Sequence, residues 1–258
     1  MADYTDEWRA AGYPEGMGSA SFLPPPPNGF TRAYYFTSAD YGMCGVALQR
    51  LKIARFADAN DPFELLGVRL RNKSVRQAVK DFKKQCNKQI GLLCFSRNWT
   101  HPLLWSHYAA KHKGVCLGFN LRNEIVSNVI YERDRLMPDL GHATDSFIID
   151  GDLKQRLLLT KSDHWTPEAE LRMIVDLSKA TTEGSLYFRP FDEDMVLAEV
   201  ILGPNCTLTP LAVRKLAQTT NPSGVVFRAR AEYGGFRVIR NGADLRSIAE
   251  QLATVMRV

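Results

Sequence analysis

The chain has 258 residues, 45% of them hydrophobic and 24% charged, with a formal net charge of +5. That is ordinary for a soluble globular protein with a sizeable core, folded as one large domain or two small ones. No apolar run approaches the roughly 20 residues of a bilayer span, and the polar N-terminus, MADYTDEW, is no signal peptide.

The mild positive charge permits a nucleic-acid or dinucleotide partner without demanding one. The cysteines at 44, 86, 94, 116 and 206 form no C-x-x-C pair. Cys94 and Cys116 sit in the apolar stretches GLLCF and GVCLGF and read as buried, reduced thiols, which points to a cytoplasmic protein. No histidine has zinc-ligand spacing with a cysteine, so no metal is expected.

Residues 1–30 read as a flexible, proline-rich arm ending in FLPPPPNGF, where four prolines favour extended polyproline II. Residues 31–258 read as a single domain. AYYFTS predicts its first strand, with Tyr34 and Phe36 on one face and Tyr35 and Thr37 on the other. A short helix around MCGVALQRL, a strand at KIARF and the acidic turn DANDPFE follow.

From Ser74 to Gln89 the period is helical. Val75, Ala78, Val79, Phe82 and Cys86 share one face; Arg76, Lys80, Lys83, Lys84 and Lys88 take the other, and Ser74 is the expected N-cap. Gly91 fits a break before the strand GLLCFS. THPLLWSHYAAKH reads as a helix with proline in its first turn, and GVCLGF and NVIYE read as strands. LKQRLLLTKS reads as helix, with strand as the alternative.

WTPEAELRMIV carries period two. Glu168, Glu170 and Arg172 point to one side; Leu171, Met173 and Val175 point to the other. DMVLAEVILG then reads as a strand, TPLAVRKLAQ as a helix, and GVVFRARAEYGGFRVI as extended chain interrupted by Gly-Gly. ADLRSIAEQLATVM closes the chain as an amphipathic helix. Without strict βαβ alternation the pattern predicts an α+β fold, a mixed or antiparallel sheet flanked by helices.

The phosphate-binding G-x-x-x-x-G-K-[ST] and G-x-G-x-x-G loops are absent from the sequence, as is the G-x-S-x-G elbow, which argues against a P-loop ATPase, a kinase and an α/β-hydrolase. What remains is a series of polar and aromatic residues at strand ends. They are Tyr35 with Thr37, Ser96-Arg97, the Trp105, His107 and Tyr108 set, and the Glu168/Glu170 pair. Each has a structural explanation of its own: a half-buried tyrosine, a turn cap, core aromatics, an ion pair between Glu170 and Arg172.

In order, DPFE, CFS, LLWSHYA, HKGVCLGF and WTPEAELR resemble the motifs of a widespread bacterial family of domains of unknown function, over most of the chain after residue 30. More remotely, the chain resembles the DarT-type ADP-ribosyltransferases, toxins that modify DNA. YYFTSADYGMCGVALQRLKIARF is similar to their opening strand–helix–strand, with Tyr35-Phe36-Thr37 at the place of an H-x-T motif and tyrosine where those enzymes carry His or Arg. LLCFSRNWTHPLLWSHYA is similar to their second motif. EAELRMIV is similar to the strand that opens with the catalytic glutamate.

The resemblance implies a split, ADP-ribosyltransferase-like sheet, NAD as substrate without a metal, and a toxin or phage-defence role with an antitoxin as partner. It implies Glu170 as the catalytic carboxylate and Glu168 as the residue that orients the acceptor. Tyr35, Thr37, Ser96, Arg97 and Tyr108 would hold NAD: Arg97 on the pyrophosphate through its fork of donors, Ser96 on the ribose, Tyr108 on nicotinamide. Positive charge develops on the ribose as the nicotinamide bond lengthens, and a fixed carboxylate in a low-dielectric cleft stabilises it. The basic helix at 74–89 would meet DNA or RNA phosphates, or simply face water. Two alternatives stay open: a non-catalytic nucleic-acid- or protein-binding module, and an NAD or nucleotide glycohydrolase with water as acceptor.

Overall fold

Alternating side chains in FTRAYYFT form strand β1 (Phe30–Thr37), with Ala33 and Tyr34 buried, one on each face. In this computed structural model, residues 23–138, 147–219 and 224–242 are described. Most of the proline-rich arm and the whole C-terminal ADLRSIAEQLATVM pattern lie outside them. Ser38 caps helix α1 (Ala39–Leu48) by accepting from the Tyr41 amide. The KIARF segment is mostly irregular: strand β2 is Arg50–Lys52, and a 3-10 turn follows at Phe56–Asp58.

The basic helix α2 (Lys73–Gln89) is capped by Asn72, whose side chain accepts from the Ser74 amide, so the cap lies two residues ahead of the expected Ser74. Strand β3 (Ile90–Ser96) includes Gly91 rather than starting after it. A Cβ there would sit 2.9 Å from the Ala54 carbonyl oxygen and 2.3 Å from Ile53, so glycine is what lets Ala54 bridge to Leu92. Helix α3 (Pro102–Tyr108) is shorter than its pattern because Ala110, Lys111 and His112 are all left-handed.

Then come β4 (Val115–Arg122), β5 (Ser127–Asn128), β6 (Ile130–Glu132), α4 (Gly151–Leu159), β7 (Thr160–Ser162) and β8 (Glu170–Asp176). The chain continues through β9 (Thr181–Glu183), β10 (Leu186–Pro190), β11 (Met195–Leu202), α5 (Pro210–Gln218), β12 (Val225–Ala231) and β13 (Val238–Arg240). LKQRLLLTKS is therefore both of its alternatives, helix to Leu159 and strand from Thr160.

The fold is α+β. Eight strands form one large mixed sheet in the order β13-β12-β11-β4-β1-β3-β8-β5; β11 and β12 are parallel and joined through α5, the other pairs antiparallel. On one face Ala33, Phe95, Phe119, Leu171 and Met173 pack with Val46 of α1 and Val213 of α5. On the other, Tyr34, Cys116 and Phe227 pack with Trp99 and Trp105, while Leu92 packs with Val75, Val79 and Phe82 of α2. Among the described residues no helix is long and apolar enough to cross a membrane.

Candidate active-site cleft

The cleft exists because β1 and β3 part. They pair at Tyr34 and Ser96; β1 then stays with β4 to Thr37, while β3 keeps its full register with β8. Where the two strands diverge, a cavity of about 520 Å³ opens, walled by α3 and the turn after β2. Tyr35, Ser96, Tyr108, Glu168 and Glu170 all line it, although they come from separate parts of the chain.

Two of the expected residues are not brought in. Thr37 lies farther along β1, against an adjoining cavity of about 430 Å³ that shares Tyr35 with the first. Arg97 turns outward: Nη2 and Nε donate to Asn128 Oδ1 at 2.7 and 3.2 Å on the exposed edge. Its guanidinium is therefore not placed to grip a pyrophosphate in the cleft. Arg97→Ala is expected to change ligand binding by no more than about twofold, the usual scale of a surface substitution, measured by calorimetric titration.

Three further expectations need correction. Glu168 is not on the strand. It ends a 3-10 segment (Asp163–Glu168), and left-handed Ala169 (φ 44°) turns the chain so that the strand begins at Glu170. Ser96 spends its hydroxyl on its own turn, donating to the Asn98 carbonyl and accepting from the Asn98 amide, both at 3.0 Å. Cys94 is not sealed in the core. Its place on β3 turns its side chain into the cavity, where solvent reaches it.

The floor of the cleft is a chain of alternating charges. Arg172, 1% exposed, uses all five of its N–H donors. Nε meets Glu170 Oε1 at 2.9 Å, Nη1 meets Glu64 Oε1 at 2.8 Å and the Leu158 carbonyl at 2.6 Å, and Nη2 reaches Glu64 and Glu170 at 3.3 Å each. Lys161 Nζ then bridges Glu170 Oε2 (3.1 Å) and Glu168 Oε2 (2.5 Å), with Trp165 under it at 4.7 Å. The other oxygen of Glu168 accepts from the Tyr108 hydroxyl, which itself accepts from Asn60 Nδ2 at 2.8 Å. Arg172 thus does pair with Glu170, as a structural reading anticipates, but inside the cavity and as part of a larger network.

Three carboxylates face two cations, so the cluster carries one net negative charge if all are ionised. Burial would raise the Glu170 carboxyl, but Arg172 and Lys161 beside it win and hold it at about 2. Burial raises Glu64, with Arg172 only partly opposing. Burial would lower Lys161, yet Glu170 and Glu168 leave it raised and charged. Burial, then the bond to Glu168, pushes the Tyr108 hydroxyl up, so it stays a donor. Burial also lifts Tyr35 to about 12.

The Glu170 shift has a consequence for stability. Its folded value of about 2 lies below the ordinary 4.5, so its contribution is complete above about pH 4.5 and is lost as pH falls toward 2. Urea melts between pH 5 and pH 2 are expected to show a steeper loss of stability in the native chain than in Glu170→Gln. Parallel curves would contradict the assigned ion pairs.

Sequence reasoning missed Glu64, Lys161 and Asn60. Glu64 did leave a signal. It closes the DPFE turn, in which Asp61 accepts from the Phe63 amide and the Glu64 amide bonds the Asp61 carbonyl. Asp61 and Glu64 are buried at the ends of this turn while Phe63 between them is exposed, and a buried carboxylate needs a cation. Lys161 left none, because it follows a helix-like run and only topology carries it beneath the cleft.

Among the described residues no group of three or more His, Cys, Asp or Glu side chains could hold a metal ion. No family model, no curated protein and no solved structure matches the chain.

Proposed function

We propose that the chain is an NAD-consuming ADP-ribosyltransferase with Glu170 as its catalytic carboxylate. One observation carries this reading: Tyr35, Ser96, Tyr108, Glu168 and Glu170 line a single cavity at the parting of β1 and β3. The parting suits an ADP-ribosyltransferase-like split sheet. A cavity of about 520 Å³ is of the size that takes a cofactor-sized ligand.

In the proposed reaction the bond between nicotinamide nitrogen and ribose C1′ breaks, and nicotinamide leaves with the bonding pair. The ribose becomes cationic, and a nucleophile on the acceptor bonds C1′ and gives up its proton to solvent water. Glu170 is suited to the middle of that sequence. A carboxylate held at about 2 is a poor base but is charged whenever the fold is intact, so its part is electrostatic. The surplus negative charge favours the cationic nicotinamide ring and the cationic ribose. Glu168, fixed between Tyr108 and Lys161, would orient the acceptor hydroxyl or amine. Tyr35, not an arginine, would meet the ligand at the first strand, and its raised hydroxyl stays a hydrogen-bond donor.

The acceptor is proposed to be nucleic acid or protein. Lys73, Lys80, Lys84 and Lys88 are exposed on α2 and available to phosphates, whereas Lys83 donates to the Glu64 carbonyl at 2.9 Å. A toxin or defence role, with an antitoxin partner, belongs to the same proposal. The test is nicotinamide release from NAD with and without DNA, RNA or protein. Labelled acceptor supports transfer, and release without label supports the glycohydrolase. No release under any condition leaves a binding module in which the charge chain is structural.

A further inference from the structure

We infer that the tip of the β12–β13 hairpin is a docking surface for single-stranded nucleic acid, whose bases stack on Tyr233 and Phe236. These side chains are 94% and 97% exposed, more than any other large hydrophobic among the described residues. A single exposed apolar residue is unremarkable, but here two rings share the four-residue tip Tyr-Gly-Gly-Phe, with no other side chain between them.

The tip is held in shape. The Glu232 amide bonds the Arg237 carbonyl at 2.9 Å, and the Arg237 guanidinium grips the Glu232 carboxylate with two bonds of 2.9 Å. The ends of the tip are thus fixed, and both rings stand in water with their faces open to stacking.

Charge decides the kind of partner. Of the four arginines between Val225 and Gly242, Arg228 donates to the Gly203, Cys206 and Leu208 carbonyls and Arg240 is half-buried, so the positive charge at the tip is that of Arg230 beside Tyr233. The Arg237–Glu232 pair cancels, and Arg230 places its guanidinium 4.3 Å from the centre of the Tyr233 ring. A flat ring with a cation against it meets a base and its phosphate together. In a duplex the base faces are already stacked, so the fit is to a single strand. An apolar membrane face would need more than two rings flanked by Glu232 and Arg237.

The hairpin is also tied to the cleft. The Val238 amide bonds the Thr100 carbonyl at 2.8 Å, and Phe227 lies against Trp99 at 5.7 Å. Trp99 and Thr100 join Ser96 to α3, two walls of the cavity. The surface goes beyond the NAD reading and stands without it; if both hold, it carries the acceptor strand.

The test is fluorescence anisotropy of a labelled oligothymidine of about 12 nucleotides with the full chain and no NAD. Binding is expected to weaken as salt rises and to exceed that of a duplex of equal length. Tyr233→Ala and Phe236→Ala are each expected to weaken it roughly fivefold or more, with unchanged thermal melts because both positions are exposed. The inference is overturned if the native chain does not bind, or if the double variant binds as well as native. It is equally overturned if that variant loses binding only to phosphatidylserine vesicles or loses only self-association. Nicotinamide release, measured separately, reports on the cleft alone.

Discussion

Glu170→Gln is expected to lower nicotinamide release by at least about 100-fold while the chain remains folded. A preorganised charge aimed at a developing cation is worth that much or more when it is removed. Glutamine keeps the volume and can still accept from Arg172. The substitution removes the surplus negative charge and leaves two carboxylates against two cations, so no cation is stranded. The variant does lose charge-assisted bonds to Arg172 and Lys161, and a cost of about 2–3 kcal/mol follows. That is affordable for a domain with typical stability of roughly 5–15 kcal/mol. Single-turnover assays on samples whose circular dichroism matches the native chain separate chemistry from unfolding. Near-normal turnover in that variant removes Glu170 from the mechanism.

The largest effect on stability is expected from Arg172→Met. All five N–H donors of this buried guanidinium are used, so nothing else in the cluster can replace it. Removing it leaves Glu64 and Glu170 sharing a buried site with Lys161 as the remaining cation. Breaking a buried ion pair from one side typically costs about 3–5 kcal/mol. One of the two carboxylates is expected to take up a proton near neutral pH, since like charges in one buried site cannot both stay ionised cheaply. The double variant Arg172→Met/Glu64→Gln should then recover part of the loss, because it removes the stranded charge. Denaturant melts of native, single and double variants close the cycle. A loss under about 1 kcal/mol for Arg172→Met would show that the chain of charges is not what holds the cleft floor.

These expectations differ from what the motifs alone suggest. The motifs put Glu168 and Glu170 on one strand face, with Glu170 as a fixed carboxylate beside the ribose. In the fold Glu170 keeps that character, held at about 2, but Glu168 is on the preceding turn. What holds Glu170 at that value is the pair of cations beneath them, one of which, Lys161, comes from a strand nine residues earlier. Arg97 shows the opposite limit. Its place directly after β3 is legible, but which way its side chain leaves the sheet depends on the Asn128 partner at the end of β5.

The sequence by itself determined the α+β class, most strands and helices, the amphipathic face of α2 and the division of Glu170 and Arg172 from Leu171 and Met173. All of these follow from local periodicity, in which a side chain's direction is set by its own backbone. Tertiary structure decided where β1 and β3 separate, that Glu64, Lys161 and Arg172 meet under one cavity, and that Cys94 faces it. Those outcomes rest on contacts between residues up to 108 apart in the chain. The Glu170–Arg172 pair lies within one short stretch, but the Glu64–Arg172 pair that closes the cluster joins two distant segments, and no local window of sequence contains both of its partners.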